Sequence, residues 1–300
     1  MHNGHNLLQL DMANLKEIRT RISSVTTTKQ VTSAMKMVSA AKLKKAQDAI
    51  TQMKPYAEKL QSILSGVSSV LADSDENIYG QSRAIENVLI LSITSNKGLC
   101  GAFNSNIIKA TKHLIEERYS AQFNKGNVYL YTIGKKGHEI LSKEYSIYKN
   151  NNDIVVDLNF ENVEILGQAI MDAFVNKEFD AVEIVYNSFK NAGTQIVINE
   201  QFLPIKLDES DDNNMDYIFE PSKETIVKEI IPKSLKVQLL KTISDSVASE
   251  HGARMTAMHK ATDNAGELIK ELTLNYNKAR QAAITNEILE IVSGANALNG

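Results

Sequence analysis

Cysteine is almost missing from this chain. Cys100 is the only one in 300 residues, which excludes an internal disulfide and fits a reducing compartment. With one cysteine and six scattered histidines, no dense Cys/His pattern of metal-ligand spacing exists. Proline is nearly as scarce: Pro55, Pro204, Pro221 and Pro232 leave long stretches free to run as helix. Tryptophan is absent and aromatics make up 6%. No apolar run is long. Val88-Leu89-Ile90-Leu91 falls far short of the roughly 20 residues a membrane helix needs, so any membrane association is expected to go through a partner. Residues 1–11, MHNGHNLLQLD, lack the basic and apolar regions of a signal peptide. They read as a disordered extension before a start at Met12, with His2 and His5 as tail residues rather than metal ligands.

What the sequence has instead is helix. From Lys233 to Leu298, glycine occurs only at 252, 266 and 294. Leu240, Ile243, Val247, Ala257, Ala261, Ala265, Leu268, Leu272, Tyr276 and Ala279 recur at helical spacing, a stripe that packs along another helix. Some 65 residues at 1.5 Å each reach roughly 100 Å, more than a compact domain can cover. Such a helix needs a companion for its apolar face.

The other end of the chain supplies one. Leu15, Ile18, Ile22 and Val25 begin a stripe that continues through Met35, Val38, Ala46, Ile50, Met53, Leu60, Leu64, Val67 and Leu71. Pro55 is expected to kink or break this helix, since it removes a backbone donor and crowds the preceding turn. Two long terminal segments, 12–72 and 222–300, therefore predict an antiparallel two-helix coiled coil. Between residues 13 and 60, ten Lys or Arg face only three acidic residues, a local charge of +7 on a chain whose total is -3. This is a solvated face or a surface for acidic partner loops. With Tyr56 as its only aromatic, the segment is poorly equipped to stack bases, and no nucleic-acid partner is expected.

The middle, 73–221, has a different grammar. Short β-rich runs at Val88–Thr94, Asn127–Ile133, Ile154–Leu158, Ala181–Ser188 and Thr194–Asn199 alternate with helical stretches. Those helices are expected over Asn104–Tyr119, after Gly134 to Lys143, and over Val163–Asn176 with Ile165, Ala169, Ile170, Ala173 and Phe174 on one side. The alternation predicts a Rossmann-like α/β domain with a mainly parallel sheet, closed by an antiparallel hairpin at Phe189–Gly193. Asp208–Asp216 reads as an exposed acidic loop, Ser222 as the N-cap of a short helix, and Pro232 as the junction with the terminal helix.

No constellation here makes a catalytic centre. Ser95-Asn96-Lys97-Gly98-Leu99-Cys100-Gly101 sits where a phosphate loop would, but its spacing matches neither GxxxxGK[ST] nor GxGxxG. A tight turn that packs a helix on its sheet explains it better. Cys100 has no neighbouring histidine to activate it and reads as a small core residue. His251 and His259 are two turns apart rather than one, and the acidic loop lacks calcium-loop spacing. No catalytic residue, metal or cofactor is expected, which points to a mechanical or interaction role.

Three stretches carry a resemblance. They are LKEIRTRISSV with TSAMKMVSAAKLKKAQ near the start, NKGLCGAFN in the middle, and ASEHGARMTAMHKATDNAGELIKELTLNYNKARQAAITNEILEIVSGANAL at the end. Together they resemble the gamma subunits of bacterial F-type ATP synthases, over nearly the whole chain from Met12. Asn96-Lys97 stand where that family more often has Asp-Arg, and the cysteine insert of its chloroplast members is missing. The resemblance implies a non-catalytic rotor subunit, peripheral to the cytoplasmic side of the bacterial plasma membrane. Its helix pair would turn inside a ring of alpha and beta subunits, coupling ion translocation to ATP synthesis or hydrolysis on beta. Its α/β body would meet the epsilon subunit and the c-subunit ring. By motif, Met35, Lys36, Arg254, Arg280, Gln281, Thr285, Ile288 and Val292 would face the alpha/beta ring, and Asp216, Tyr217 and Glu220 the c ring or epsilon. Beyond Ile284 the apolar residues spread past one stripe, as in a helix surrounded by other protein. Two other readings stay open. A Rossmann-like nucleotide-binding enzyme with helical arms would bind nucleotide as an isolated chain. A coiled-coil scaffold of chromosome type, or an RNA-gripping helical arm, would show salt-sensitive nucleic-acid binding.

Overall fold

The computed structural model describes residues 2–72, 78–81, 83–205 and 223–298, without the side chains at 2–14, 58, 61, 63–72, 223–228, 297 and 298. Two compact units result, one formed by residues 1–38 with 257–300 and the other by 39–256. Two helices run through both: α1 (His2–Ala72) and α6 (Lys223–Leu298).

In the first unit the helices pair antiparallel. Thr262 Oγ1 donates to Thr32 Oγ1 at 2.8 Å, and Lys36 Nζ lies 3.4 Å from His259 Nδ1. Numbers fall along α1 as they rise along α6. The inward positions of α6 are Met258, Thr262, Ala265, Ile269, Leu272, Tyr276, Ala279 and Ala283, and those of α1 include Leu15, Ile18, Ile22, Val25 and Thr32. Alternating steps of three and four put both seams on a 3.5-residue repeat, which is a left-handed coiled coil. The stripe expected from sequence is corrected at two places: Leu268 and Val38 are exposed. A straight 3.6-residue helix and a 3.5-residue supercoil diverge over several turns, so a neighbouring apolar residue is easily chosen in place of the seam residue.

The second unit is built on a five-stranded sheet of order β3-β2-β1-β4-β5. β1 (Val88–Ile93), β2 (Val128–Ile133), β3 (Ser146–Asn151) and β4 (Ala181–Asn191) are parallel, and β5 (Thr194–Leu203) returns antiparallel beside β4. β1 lies at the centre and is buried along its whole length, which is why it reads as an unbroken apolar run. Its alternate residues feed two cores. Leu89, Leu91 and Ile93 pack with α5 (Phe160–Val175) and with Ile231, Leu235, Leu239 and Ile243 of α6. Val88 and Ile90 pack with Ile107, Ile108, Leu114 and Ile115 of α2 (Phe103–Arg118). Burial of the four α6 side chains stabilises this attachment by roughly 2 kcal/mol each. The short helices α3 (Ser120–Asn124) and α4 (Lys135–Leu141) flank β2 in sequence.

Several expectations are corrected. The third strand is Ser146–Asn151, not Ile154–Leu158; residues 154–156 form a turn from which Ile154 drops into the core at 1% exposure. β3 is an edge strand whose Lys149 and Asn150 are exposed and whose Asn151 is half-buried, a polar run that gave no apolar signal. On α5, Ile165 is 71% exposed and Ala169 is exposed; Val163, Leu166, Gly167, Ile170 and Phe174 turn inward. Pro55 and Pro232 both lie inside continuous helix. Pro55 is exposed, so water satisfies the carbonyl it leaves free, while Pro232 sits between the buried Ile231 and Leu235, whose packing offsets its cost. The terminal helix is thus a single element that begins at Lys223. α1 begins at His2, not near Asn14, and residues 2–11 join it as its first turns because no proline interrupts them. The acidic stretch Asp208–Asp216 and the cap at Ser222 lie outside the described residues.

Candidate functional site

The strand order reverses at β1, whose neighbours β2 and β4 lie on opposite sides. In open α/β sheets the loop leaving such a strand opens on the crevice where ligands bind. Here that loop closes on itself. Ser95 N–H donates to Asn104 Oδ1 at 2.9 Å, Ser95 Oγ donates to the Lys97 carbonyl at 2.7 Å, and Asn104 Nδ2 donates to Cys100 Sγ at 3.3 Å. Gly134 then presses against it: a Cβ there would stand 2.1 Å from the Thr94 carbonyl oxygen, and its φ of +94° already excludes ordinary side chains. The glycine at the β2–α4 connection is therefore a packing device.

The mouth of the crevice is taken by α6. Arg254, 8% exposed, donates from Nη2 to the Lys97 carbonyl at 2.9 Å and to the Gly98 carbonyl at 3.3 Å. Its Nη1 donates to Glu250 Oε1 at 2.6 Å. Ala253 packs with Cys100 and Phe103 in a small cluster of their own. The arginine expected on a partner-facing surface is thus turned inward, where a planar donor fork spans two carbonyls and a carboxylate at once. Burial pushes the Glu250 carboxyl up while Arg254 opposes it, and burial pushes the Cys100 thiol up. Beside them, burial, with Arg254 and Lys42 adding to it, pushes the His251 imidazole down to about 4.

The remaining sequence-predicted residues are outward or shared. Met35 is half-buried and Lys36 half-buried beside His259, whose Nδ1 also lies 3.3 Å from Asp263 Oδ2. Arg280, Gln281 and Thr285 are exposed, with Thr285 Oγ1 turned back to the Gln281 carbonyl at 2.9 Å. Ile288 and Val292 are 54% and 50% exposed, within a stretch, 284–296, in which every residue is exposed. Of the ten basic residues on α1, all but Lys36 are exposed. Asp216, Tyr217 and Glu220 lie outside the described residues. Sequence reasoning missed Glu250, although its spacing four residues before Arg254 is the helical ion-pair spacing. It also missed Gly252 and Thr256, whose partners on the β4–β5 hairpin are about sixty residues away and leave no local signal.

A helix pair on a 3.5-residue repeat, one of whose helices, α6, also packs on a Rossmann-like sheet, defines a stalk-type structural protein. Residues 14–298 match the family model described as ATP synthase. The sequence is 60% identical to the ATP synthase gamma chain of Christiangramia forsetii and 59% identical to that of Flavobacterium psychrophilum, each over 96% of this chain and all of the other. The chain belongs to the ATP synthase gamma-chain family. Its fold matches a chain in a solved structure of the Euglena gracilis mitochondrial ATP synthase, OSCP/F1/c-ring in rotational state 3. The TM-score is 0.64 at 20% identity, with 95% of each chain covered.

Proposed function

We propose that the chain is the gamma subunit of a bacterial ATP synthase, the central stalk that rotates within an alpha/beta ring. The observation that carries this is the 60% identity to a gamma chain along its entire length. Rotation couples ion flow to catalysis only if a stiff element makes different contacts with each beta subunit in turn. A coiled-coil pair is stiff, and two helices of different sequence are asymmetric about their axis. Arg280, Gln281 and Thr285 offer polar contacts to beta-subunit loops, and the exposed apolar residues above them, Ile288 and Val292 included, fit an apolar sleeve of alpha and beta. Met35 and Lys36 lie on the pair where it meets those subunits. The exposed basic face of α1 suits acidic loops. Asp216, Tyr217 and Glu220, outside the described residues, are assigned by motif to contact with the c ring or epsilon.

No helix among the described residues is long and apolar enough to cross a membrane. Attachment then runs through the c ring, at the cytoplasmic face of the plasma membrane. The test is reconstitution with alpha and beta subunits. A stoichiometric complex with ATPase activity is expected; a chain that leaves alpha and beta unassembled would refute the rotor reading.

A further inference from the structure

α6 is attached to the sheet at two places of different character. The first joins the apolar packing of Ile231, Leu235, Leu239 and Ile243 against β1, β4 and α5, continued by Val247, to polar contacts of Lys236 with Glu164 and of Gln238 with Glu200. The second is a single stretch of helix further on. Gly252 lies against the tip of the β4–β5 hairpin, where a Cβ would stand 3.2 Å from Ala192 Cα and 3.3 Å from Phe189 Cε2. Thr256 Oγ1 donates to the Ala192 carbonyl at 2.9 Å. Between them Arg254 grips the Lys97 and Gly98 carbonyls of the β1 loop. Half of the eight residues linking the two attachments are small: Ser244, Ser246, Ala248 and Ser249.

The two attachments do different mechanical work. Apolar burial is non-directional and scales with area. It resists separation, while the Lys236–Glu164 and Gln238–Glu200 contacts set the angle of the helix at the first attachment. Hydrogen bonds are directional and weaken steeply off line. The second anchor adds directional contacts at the tip of the β4–β5 hairpin, residues 189–193, which take no part in the first.

We propose that Gly252, Arg254 and Thr256 form a torsional clasp, with Thr256 and Gly252 as positioning residues that lock the β4–β5 hairpin to α6. The clasp keeps torque entering the sheet domain from being lost as twist before it reaches the coiled coil. Its place in rotary coupling rests on the gamma-subunit reading; the locking of the hairpin does not. Gly252 seats the hairpin against the helix, since a Cβ there would have to push Ala192 or Phe189 away by a few tenths of an ångström. Thr256 is required because its hydroxyl is the donor that fixes the hairpin's position along the helix. The Arg254 grip on the β1 loop is separate from both.

Two measurements test this. On the isolated full-length chain, Thr256→Val removes the donor at nearly constant volume, and amide exchange at residues 189–196 is expected to accelerate roughly fivefold, the effect of losing one hydrogen bond. Thr256→Ser restores the wild-type rate. Unchanged exchange in both Thr256→Val and Gly252→Val would overturn the clasp whatever the chain's function. In the complete ATP synthase reconstituted into vesicles, Thr256→Val is expected to keep ATP hydrolysis while ion pumping per ATP falls at least twofold, and Thr256→Ser to pump normally. Normal pumping by Thr256→Val and Gly252→Val, with faster hairpin exchange, would remove the clasp from coupling and leave the rotor reading intact. A wild-type chain that fails to assemble would instead defeat the rotor reading, with the exchange result still deciding whether the hairpin is locked.

Discussion

His251 shows how a single residue on a long helix can carry a pH dependence. Its Nδ1 is buried without a hydrogen-bond partner, and Glu250, Arg254 and Lys42 are its charged neighbours. Burial, reinforced by the two cations, holds the imidazole neutral, with its pKa pushed down from 6.5 to about 4. A base whose folded pKa is depressed contributes fully above its unfolded pKa and loses that contribution as pH falls toward the folded one. The loss therefore falls between pH 6.5 and 4, on the order of 1–2 kcal/mol after allowance for solvent screening at a half-buried site. Glu250 works the other way: its carboxyl is pushed up by burial, so acidification favours the folded state at that residue and offsets part of the loss. Asp180 is a separate acid-sensitive group. Its buried carboxyl is nevertheless held below 3.8 by the Asn87 and Glu86 amides and by Arg83, so its contribution fades only at lower pH. The expected outcome is that His251→Gln flattens the decline of the urea midpoint between pH 6.5 and 4. An unaltered decline would show that another group titrates there.

Among the elements, the least expected is the continuity of the two proline-bearing helices. Pro55 is exposed in the middle of α1. It removes the amide that would bond the carbonyl of Thr51, and interior proline costs about 3 kcal/mol relative to alanine. Pro55→Ala is expected to strengthen this part of α1, slowing amide exchange around residues 49–56 by about tenfold or more for a local gain of 1.4 kcal/mol or better. Exchange as fast as wild type would mean that the proline is already accommodated without cost. How legible each element was in the sequence followed from what it packs against. β1, α2 and the β4–β5 hairpin stood out because buried central strands and amphipathic helices write their environment into apolar runs. β3 did not, because an edge strand can end in the polar run Lys149-Asn150-Asn151, with Lys149 and Asn150 exposed, and so carries no apolar signal. Ile165 misled for the opposite reason, an apolar side chain placed on the outer face of α5. The inward turn of Arg254 was illegible because its carbonyl partners lie more than 150 residues away. The motif that singled out Arg254 records that an arginine is needed there, not which way it points.

At the scale of the whole molecule, the stability of the chain and the fitness of its surface are separable. The coiled coil is held by its seam, where large apolar residues such as Leu15, Ile22, Ile269 and Leu272 stand with small ones such as Thr32, Ala265 and Ala279. Other large apolar residues of the two helices, Met37 and Leu274, are more than half exposed. The same holds at the end of α6, where Ile288, Leu289, Ile291 and Val292 are all at least half exposed. Exposed apolar side chains contribute little to folding, since burial is what stabilises them. Grouped on one element, they mark a surface meant for other protein. A double substitution, Ile288→Asp with Val292→Asp, therefore separates the two roles. In the isolated chain the change is expected to leave the unfolding midpoint within about 0.5 kcal/mol of wild type, as for surface substitutions generally. In reconstitution with alpha and beta subunits the same variant is expected to lower the yield of assembled complex at least tenfold, because two carboxylates must enter an apolar sleeve without partners. Equal yields of variant and wild-type complex would mean that the tip turns in contact with water, and that the ring grips the stalk below it, at Arg280 and Gln281.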